Sequence, residues 1–457
     1  SWAAVANLSF SPVSSGNYAF ESTADIALAL TGDDLQQALG AVALGFFPDP
    51  GYATDTLTEA GYTRTQYPRP EGDVLIDNFY AGFQYLQDGG FGLWALIHEL
   101  GHALGLKHPF DDGGNARPTY ADTGMGSFDA ERFTVMSYAG VSNLPAGHAS
   151  TPMPLDILAI QHIYGANMAY RTGNDTYVLT LDGAMRTIWD AGGVDSLDAS
   201  SLGTAVTLDL RPGSLMDLPF STVLGIAYNC TIENAAGGAG NDTLYGNGAA
   251  NTLTGNGGLN SFHGGAGDDI FVMAQDGDRI HENAGEGDDT VLSSVSFDAL
   301  VHGGGMLAHI EHVVLTGNGN LSARATIDTL SLRGNSANNL LQDNYAAVTM
   351  AGGDGDDTYE QLGTSTVILE HANQGMDTLR LWSQTTYTLP DHVERLLPQD
   401  AAPFGTLNFT GNALANWIEG AAFSNDTLDG GAGADTLVGH GGADLYLVDN
   451  PQDQIIE

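Results

Sequence analysis

Gly237-Gly-Ala-Gly-Asn-Asp-Thr-Leu-Tyr245 opens a stretch that divides into nines without remainder: GGAGNDTLY, GNGAANTLT, GNGGLNSFH and GGAGDDIFV, ending at Val272. Glycine crowds the first places of each nine. Asp or Asn holds the sixth, and the eighth is apolar: Leu244, Leu253, Phe262 and Phe271. A nine-residue period reads as a parallel β-helix, because one turn cannot bury its apolar residue alone and must stack on the next. The glycine turns expose carbonyl oxygens and the sixth-place Asp adds a carboxylate. Hard oxygen donors of this kind suit Ca²⁺ rather than zinc or copper. The best-formed candidates are Asp242, Asp269, Asp357, Asp435 and Asp444. Where Asn251 and Asn260 replace Asp, a charge is lost and affinity is expected to drop.

Downstream, GNSANNLLQ, DNYAAVTMA and GGDGDDTYE run from Gly334 to Glu360, and a third block runs from Gly411 to Leu447. A longer period lies over the short one. Ile270, Thr358 and Leu445 stand in matching contexts, as do Glu282, Glu370 and Glu457, and Asp289 and Asp377. A module of nearly ninety residues has been copied, and the last copy is expected to be incomplete. The chain is expected to be a fragment at both ends, with an export signal beyond Glu457.

The 457 residues carry 56 Asp plus Glu against 13 Lys plus Arg, a formal net charge of −43. No basic stripe exists to displace phosphate counterions, so nucleic acid is excluded as a partner. Self-repulsion of this size opposes compaction, and bound cations relieve it. Cys230 is the single cysteine, which rules out an internal disulfide. No apolar run reaches membrane-spanning length.

Upstream the text changes. Residues 1–170 read as a mixed domain, 171–236 as a β-rich connector, and 237–457 as the repeat region. Asp33–Leu44 has helical spacing, Asp73–Asp77 reads as a strand, Phe91–Leu106 as a helix and Pro154–Tyr164 as a second helix closed by Gly165. The first helix carries His98-Glu-Leu-Gly-His102-Ala-Leu-Gly105-Leu-Lys-His108. Residues four apart share a helix face, so His98 and His102 can ligate one Zn²⁺ while Glu99 reaches its water. Gly105 ends the helix in a conformation other residues disfavour, and the returning chain offers His108 as third ligand. A fourth position stays open for water, as a catalytic site requires. Phe133-Thr-Val-Met136-Ser-Tyr138 adds a methionine turn, which with the histidine triad marks the metzincin pattern.

HELGHALGLKHP, PTYAD at 118–122, RFTVMSY, LDILAIQHIYGAN at 155–167, TIWDAGGVDSLD at 187–198 and TIENAAGGAGNDTL at 231–244 together resemble the serralysins. These are zinc metalloproteases with calcium-binding RTX repeats. The resemblance covers about residues 1–275, and the long modules beyond it depart from the usual layout. It implies an α+β metzincin catalytic domain followed by an all-β parallel β-roll, one catalytic Zn²⁺ and several structural Ca²⁺. It implies that Tyr138 is an additional zinc ligand which swings away when substrate binds, and that Met136 lies under the metal. It also implies a cleft in which the Val74–Asp77 strand, with Val74, Leu75 and Ile76, is the edge that pairs with substrate backbone.

The expected protein is a secreted, monomeric endopeptidase acting on proteins or peptides, exported by a one-step (type I) route. The competing reading is a calcium-dependent surface adhesion protein with a relic protease domain. Intact His98, Glu99, His102, His108 and Tyr138 argue against a relic. A repeat-bearing lipase would need a G-x-S-x-G elbow, and the sequence has none.

Overall fold

Phe91–Ala103 forms the helix that the apolar spacing requires, here α1. It stops where Gly105 takes a φ of +101°, which a side chain would resist, and the Leu106 N–H closes back on the Gly101 carbonyl at 2.9 Å. The computed structural model describes residues 2–10, 26, 28–31, 43–46, 72, 74–77, 81–111, 117–140, 147–303, 309–399 and 405–457. They divide into two compact units. One comprises residues 1–197 and 209–232, the other residues 198–208 and 233–457.

In the first unit, α1 packs on a three-stranded sheet of β1 (Leu28–Thr31), β2 (Ala43–Gly45) and β3 (Val74–Asp77), in the order β1-β3-β2. Val74 and Ile76 of β3 join Ala103, Leu96 and Leu100 of the helix in one apolar cluster. β1 runs parallel to β3 and β2 antiparallel to it, with Ala43 opposite Ile76 and Gly45 opposite Val74. The strand expected as the substrate-pairing edge is therefore flanked on both sides. Val74, Leu75 and Ile76 are buried, and their backbone groups are taken up by two neighbours. Among the described strands the antiparallel edge beside β3 is β2. Most of the expected Asp33–Leu44 helix lies outside the described residues, and its last two positions belong to β2.

The second helix, α2 (Pro154–Tyr164), starts on a proline and ends at Gly165, whose φ is +80°. Trp2–Val5 forms a short helical turn, and the buried Trp2 indole N–H donates to the Ile97 carbonyl on α1. Residues 171–197 and 209–232 pack within this unit, so the expected connector does not stand apart. They include a sheet of Met185–Ile188, Thr222–Ile226 and Leu215–Leu218.

The second unit is a parallel β-solenoid. Its strands are mostly three residues long, and successive strands alternate between sheets. One sheet stacks Asn234–Ala236, Thr252–Thr254, Ile270–Met273, Thr290–Ser293 and onward to Val367–Ile368. Another stacks Phe297–Asp298 and onward to Gln454–Ile456. The middle residue of most triplets points inward, so Leu253, Phe271, Val291 and Val313 form one fully buried column and Leu341, Tyr359, Leu379 and Leu396 another. Of the eighth-place residues of the nines, Leu253 and Phe271 lie in the first column and Leu341 and Tyr359 in the second, while Leu244 and Phe262 stack with Ile280 in a third. This is the stacking the repeats require.

Candidate functional site

Helix geometry sets His98 and His102 one turn apart, and the reversal at Gly105 brings His108 back to them. The His108 Nε2 lies 3.2 Å from the His98 Nε2 and 3.0 Å from the His102 Nε2. Each ring is oriented from behind. His98 Nδ1 donates to the Val135 carbonyl at 2.8 Å, His102 Nδ1 to the Leu106 carbonyl at 2.8 Å, and His108 Nδ1 to Asp111 Oδ2 at 2.5 Å. A carbonyl only accepts, so Nδ1 carries the proton in His98 and His102 and each Nε2 presents a lone pair. Three converging lone pairs repel one another unless a cation stands between them. Tetrahedral zinc with Zn–N of about 2.0–2.1 Å places its nitrogens about 3.3 Å apart, so the donor set fits that ion. Burial and the neighbouring imidazoles hold His98 and His102 well below the usual histidine range, His102 at about 4, which keeps them in the neutral form a metal needs.

Glu99 is buried on the same helix. Burial pushes its carboxyl up to about 8, opposed by the N–H of Gly45 on β2, which donates to it. Gly45 is the residue that lets β2 come this close, because a Cβ there would run into the Glu99 carbonyl. The Tyr138 ring lies over the triad, 5.3 Å from the His98 ring, 4.8 Å from the His108 ring and 5.2 Å from that of Phe110. Met136 is buried against Gly101, the glycine between the two helical histidines.

Composition and spacing gave no reason to single out Asp156, at the start of α2. Its carboxylate accepts from Thr134 Oγ1 at 2.5 Å, the Val135 N–H at 2.7 Å and the Met153 N–H at 2.8 Å. It thereby fixes the backbone at Val135, whose carbonyl holds His98. Burial pushes this carboxyl up to about 6. His148 and His162, which do not fit the zinc motif, stay outside the triad. His148 is buried with its Nδ1 3.2 Å from Glu131, and His162 is on the surface.

In the solenoid, the five expected calcium aspartates do not behave alike. Asp269, Asp357, Asp435 and Asp444 each use Oδ1 to accept a backbone N–H from the preceding coil, and each leaves a buried Oδ2 with no hydrogen-bond partner. Asp242 differs, since both its oxygens accept N–H groups, from Val206 and Gly238. An orphaned buried carboxylate oxygen is costly, and a cation is the natural partner for it. The Asn turns need none. Asn251 accepts from the Asn247 N–H and donates to the Asn247 side chain, and Asn335–Asn339 and Asn412–Asn416 repeat this pattern.

Two acidic clusters bring in residues outside the expected set. Asp357, Glu370 and Asp377 bring carboxylate oxygens within 4.8 Å of one another, all buried, and Glu370 Oε2 has no partner. Their signal was already in the long period, since Glu282 and Asp289 stand at the same offsets from Asp269. Burial first, then neighbouring acids, push Asp269, Glu282 and Asp289 to about 7, 8 and 6, and Asp357 and Asp377 to about 7. In the first unit Asp175, Asp190 and Asp195 meet in the same way.

The family comparison agrees with this layout. Residues 155–298 match the model "Peptidase M10 serralysin C terminal", and residues 333–360 and 410–446 match the RTX calcium-binding nonapeptide repeat. The chain is 32% identical over 269 residues to a protein named serralysin from Proteus mirabilis, an alignment covering 54% of this chain and 52% of that protein. It is 33% identical over 273 residues to metallopeptidase AprA of Pseudomonas marginalis, covering 55% and 52%, and 34% identical over 263 residues to serralysin C of Dickeya chrysanthemi, covering 53% and 51%. The chain thus spans about half the length of the curated relatives it matches. The chain therefore carries a serralysin-type M10 peptidase C-terminal domain and RTX calcium-binding repeats, and it is similar to serralysins over about half of its length.

Proposed function

We propose that the chain is a secreted, zinc-dependent endopeptidase with a metzincin-type α+β catalytic unit, held in shape by calcium bound to its solenoid turns. The observation that carries this reading is the convergence of three Nε2 atoms, each with its Nδ1 already engaged, around one metal-sized point. A zinc ion held by His98, His102 and His108 would supply Lewis acidity to a water molecule and to the scissile carbonyl. Glu99 is one residue from His98, and its raised proton affinity lies near neutral pH, where a general base works best. It takes the proton of the attacking water and returns it to the leaving amine. The Tyr138 hydroxyl steadies the charge that develops on the carbonyl oxygen. Substrate backbone is read as an added strand beside β2, where Gly45 meets Glu99, rather than beside Val74–Asp77.

Among the described residues no helix is long and apolar enough to cross a membrane. Calcium partners in this reading are the aspartates with orphaned oxygens, Asp269, Asp357, Asp435 and Asp444, together with the Glu370–Asp377 cluster. Asp242 is the weakest of the five expected sites. The deciding experiment is Glu99→Gln in the purified, zinc-loaded protein. It is expected to keep one zinc and lose casein hydrolysis by at least the 10²–10⁴-fold typical of general acid–base catalysis. A variant that retains more than a tenth of the parent rate overturns the role of Glu99.

A further inference from the structure

We infer that Asp111 is the positioning residue of the triad: its carboxylate holds His108 in place for the metal and supplies an outer charge that strengthens the site. The inference rests on the zinc reading above and goes beyond it. Two of the histidines hand their Nδ1–H to main-chain carbonyls, Val135 and Leu106, and only His108 hands its own to a carboxylate. A carbonyl fixes the tautomer as well as a carboxylate does. What Asp111 adds is negative charge, which makes the far nitrogen of His108 a stronger donor and offsets part of the charge of a divalent ion.

His108 needs this help where the others do not. His98 and His102 are carried by a packed helix, at 1% and 7% exposure. His108 stands past the helix end on an irregular turn, with its side chain 18% exposed. The turn has its own fastening. Lys107, the single lysine of the chain, donates from Nζ to the His108 carbonyl at 2.9 Å and to the Asp111 carbonyl at 2.6 Å. The Phe110 ring stacks on the His108 ring at 4.8 Å and 10° between planes. The imidazole is thus held at its edge by Asp111 and on its face by Phe110, while Lys107 sets the distance from residue 108 to 111. The Asp111 side chain is 40% exposed, so its removal leaves no core cavity.

The test titrates metal-stripped protein with zinc against a chromophoric chelator, and repeats the titration with cobalt while reading its visible spectrum. The chains compared are the parent, Asp111→Ala, Asp111→Asn and His108→Ala. Asp111→Ala is expected to weaken zinc by about 10–100-fold, the usual cost of losing such a partner. Asp111→Asn keeps an acceptor but no charge and falls between Asp111→Ala and the parent. Its cobalt spectrum stays near that of the parent, while that of Asp111→Ala shifts. If the parent binds zinc, His108→Ala does not, and Asp111→Ala stays within twofold of the parent with the same spectrum, Asp111 has no such role. A parent that takes up no zinc overturns the reading of the site, and this inference with it. Should Asp111→Ala fail to fold, Asp111→Asn within twofold of the parent overturns the charge argument by itself.

Discussion

At the residue scale, the site depends on what stands behind each ligand. The Asp156 carboxylate holds the Val135 N–H, the Val135 carbonyl holds His98, and the arrangement places a helix N-terminal acid two steps from the histidine triad. Tyr138 is different in kind. Half of its ring is exposed, and it touches the histidines by its face. Since the three imidazoles form the donor set without it, Tyr138→Phe is expected to keep zinc affinity and melting temperature while kcat falls on the order of 10²-fold, the cost of losing one hydrogen-bond donor to a developing oxyanion. KM is expected to change little. Steady-state kinetics on a quenched fluorescent peptide check this, and an unchanged kcat removes Tyr138 from the chemistry.

At the element scale, the approach of β2 to α1 is the tightest contact near the site. Gly45 faces the Glu99 backbone with no room for a methyl group, and its N–H reaches the Glu99 carboxylate. Gly45→Ala must push the strand away from the helix, because the obstacle is main chain and cannot rotate aside. A destabilisation of about 1–3 kcal/mol is expected from overpacking of this kind, together with a loss of hydrolysis as Glu99 loses its backbone donor. Thermal melts and peptide hydrolysis of the purified variant check both. A melting temperature and a rate equal to those of the parent mean that β2 does not sit against Glu99. In the solenoid the elements are turns of two kinds. Asn turns close on themselves through amide-to-amide hydrogen bonds, whereas the turns of Asp269, Asp357, Asp435 and Asp444 leave an oxygen that a cation satisfies.

At the scale of the whole molecule, a net charge of −43 must be lodged somewhere, and much of it lines the solenoid turns. Removal of calcium is expected to collapse most of the β-sheet signal of residues 237–447 in far-UV circular dichroism, with the Asn turns leaving little to hold the stack. An unchanged spectrum on chelation refutes this. The pH dependence has a definite sign. Without metal, Asp269, Glu282, Asp289, Asp357 and Asp377 bind protons more tightly folded than unfolded, with folded values of about 6–8. Acidification from about pH 8 towards their unfolded values near 4 therefore favours the metal-free fold. Calcium needs the same groups deprotonated and must displace those protons. Protons and calcium thus do the same work in the folded state, so the calcium concentration at the folding midpoint is expected to be lower at pH 5.5 than at pH 8. A midpoint that does not fall on acidification means that these carboxylates do not bind protons more tightly in the fold than in the unfolded chain.

The sequence alone determined the local rules. The nine-residue period required stacked turns with Leu253, Phe271 and their kind inside, because an apolar residue at every second strand position has nowhere else to go. The spacing of His98, His102 and Gly105 required two imidazoles on one helix face and a reversal after them. What lay between distant segments was not legible. The place of Val74–Asp77 in its sheet depended on which strands flank it, and pairing partners are chosen by packing over long separations, not by the strand's own residues. Asp111 and Asp156 looked like ordinary surface acids until folding brought His108 and Val135 against them. The long period hid its main consequence for the same reason. Among the described residues nine strands run from Ile270–Met273 through Thr349–Ala351 before Thr358–Gln361 opens the next module. Nine is odd and strands alternate sides, so matching residues of successive modules stand on opposite sides of the solenoid. Only the winding of the chain in three dimensions, which counts strands rather than residues, decided that.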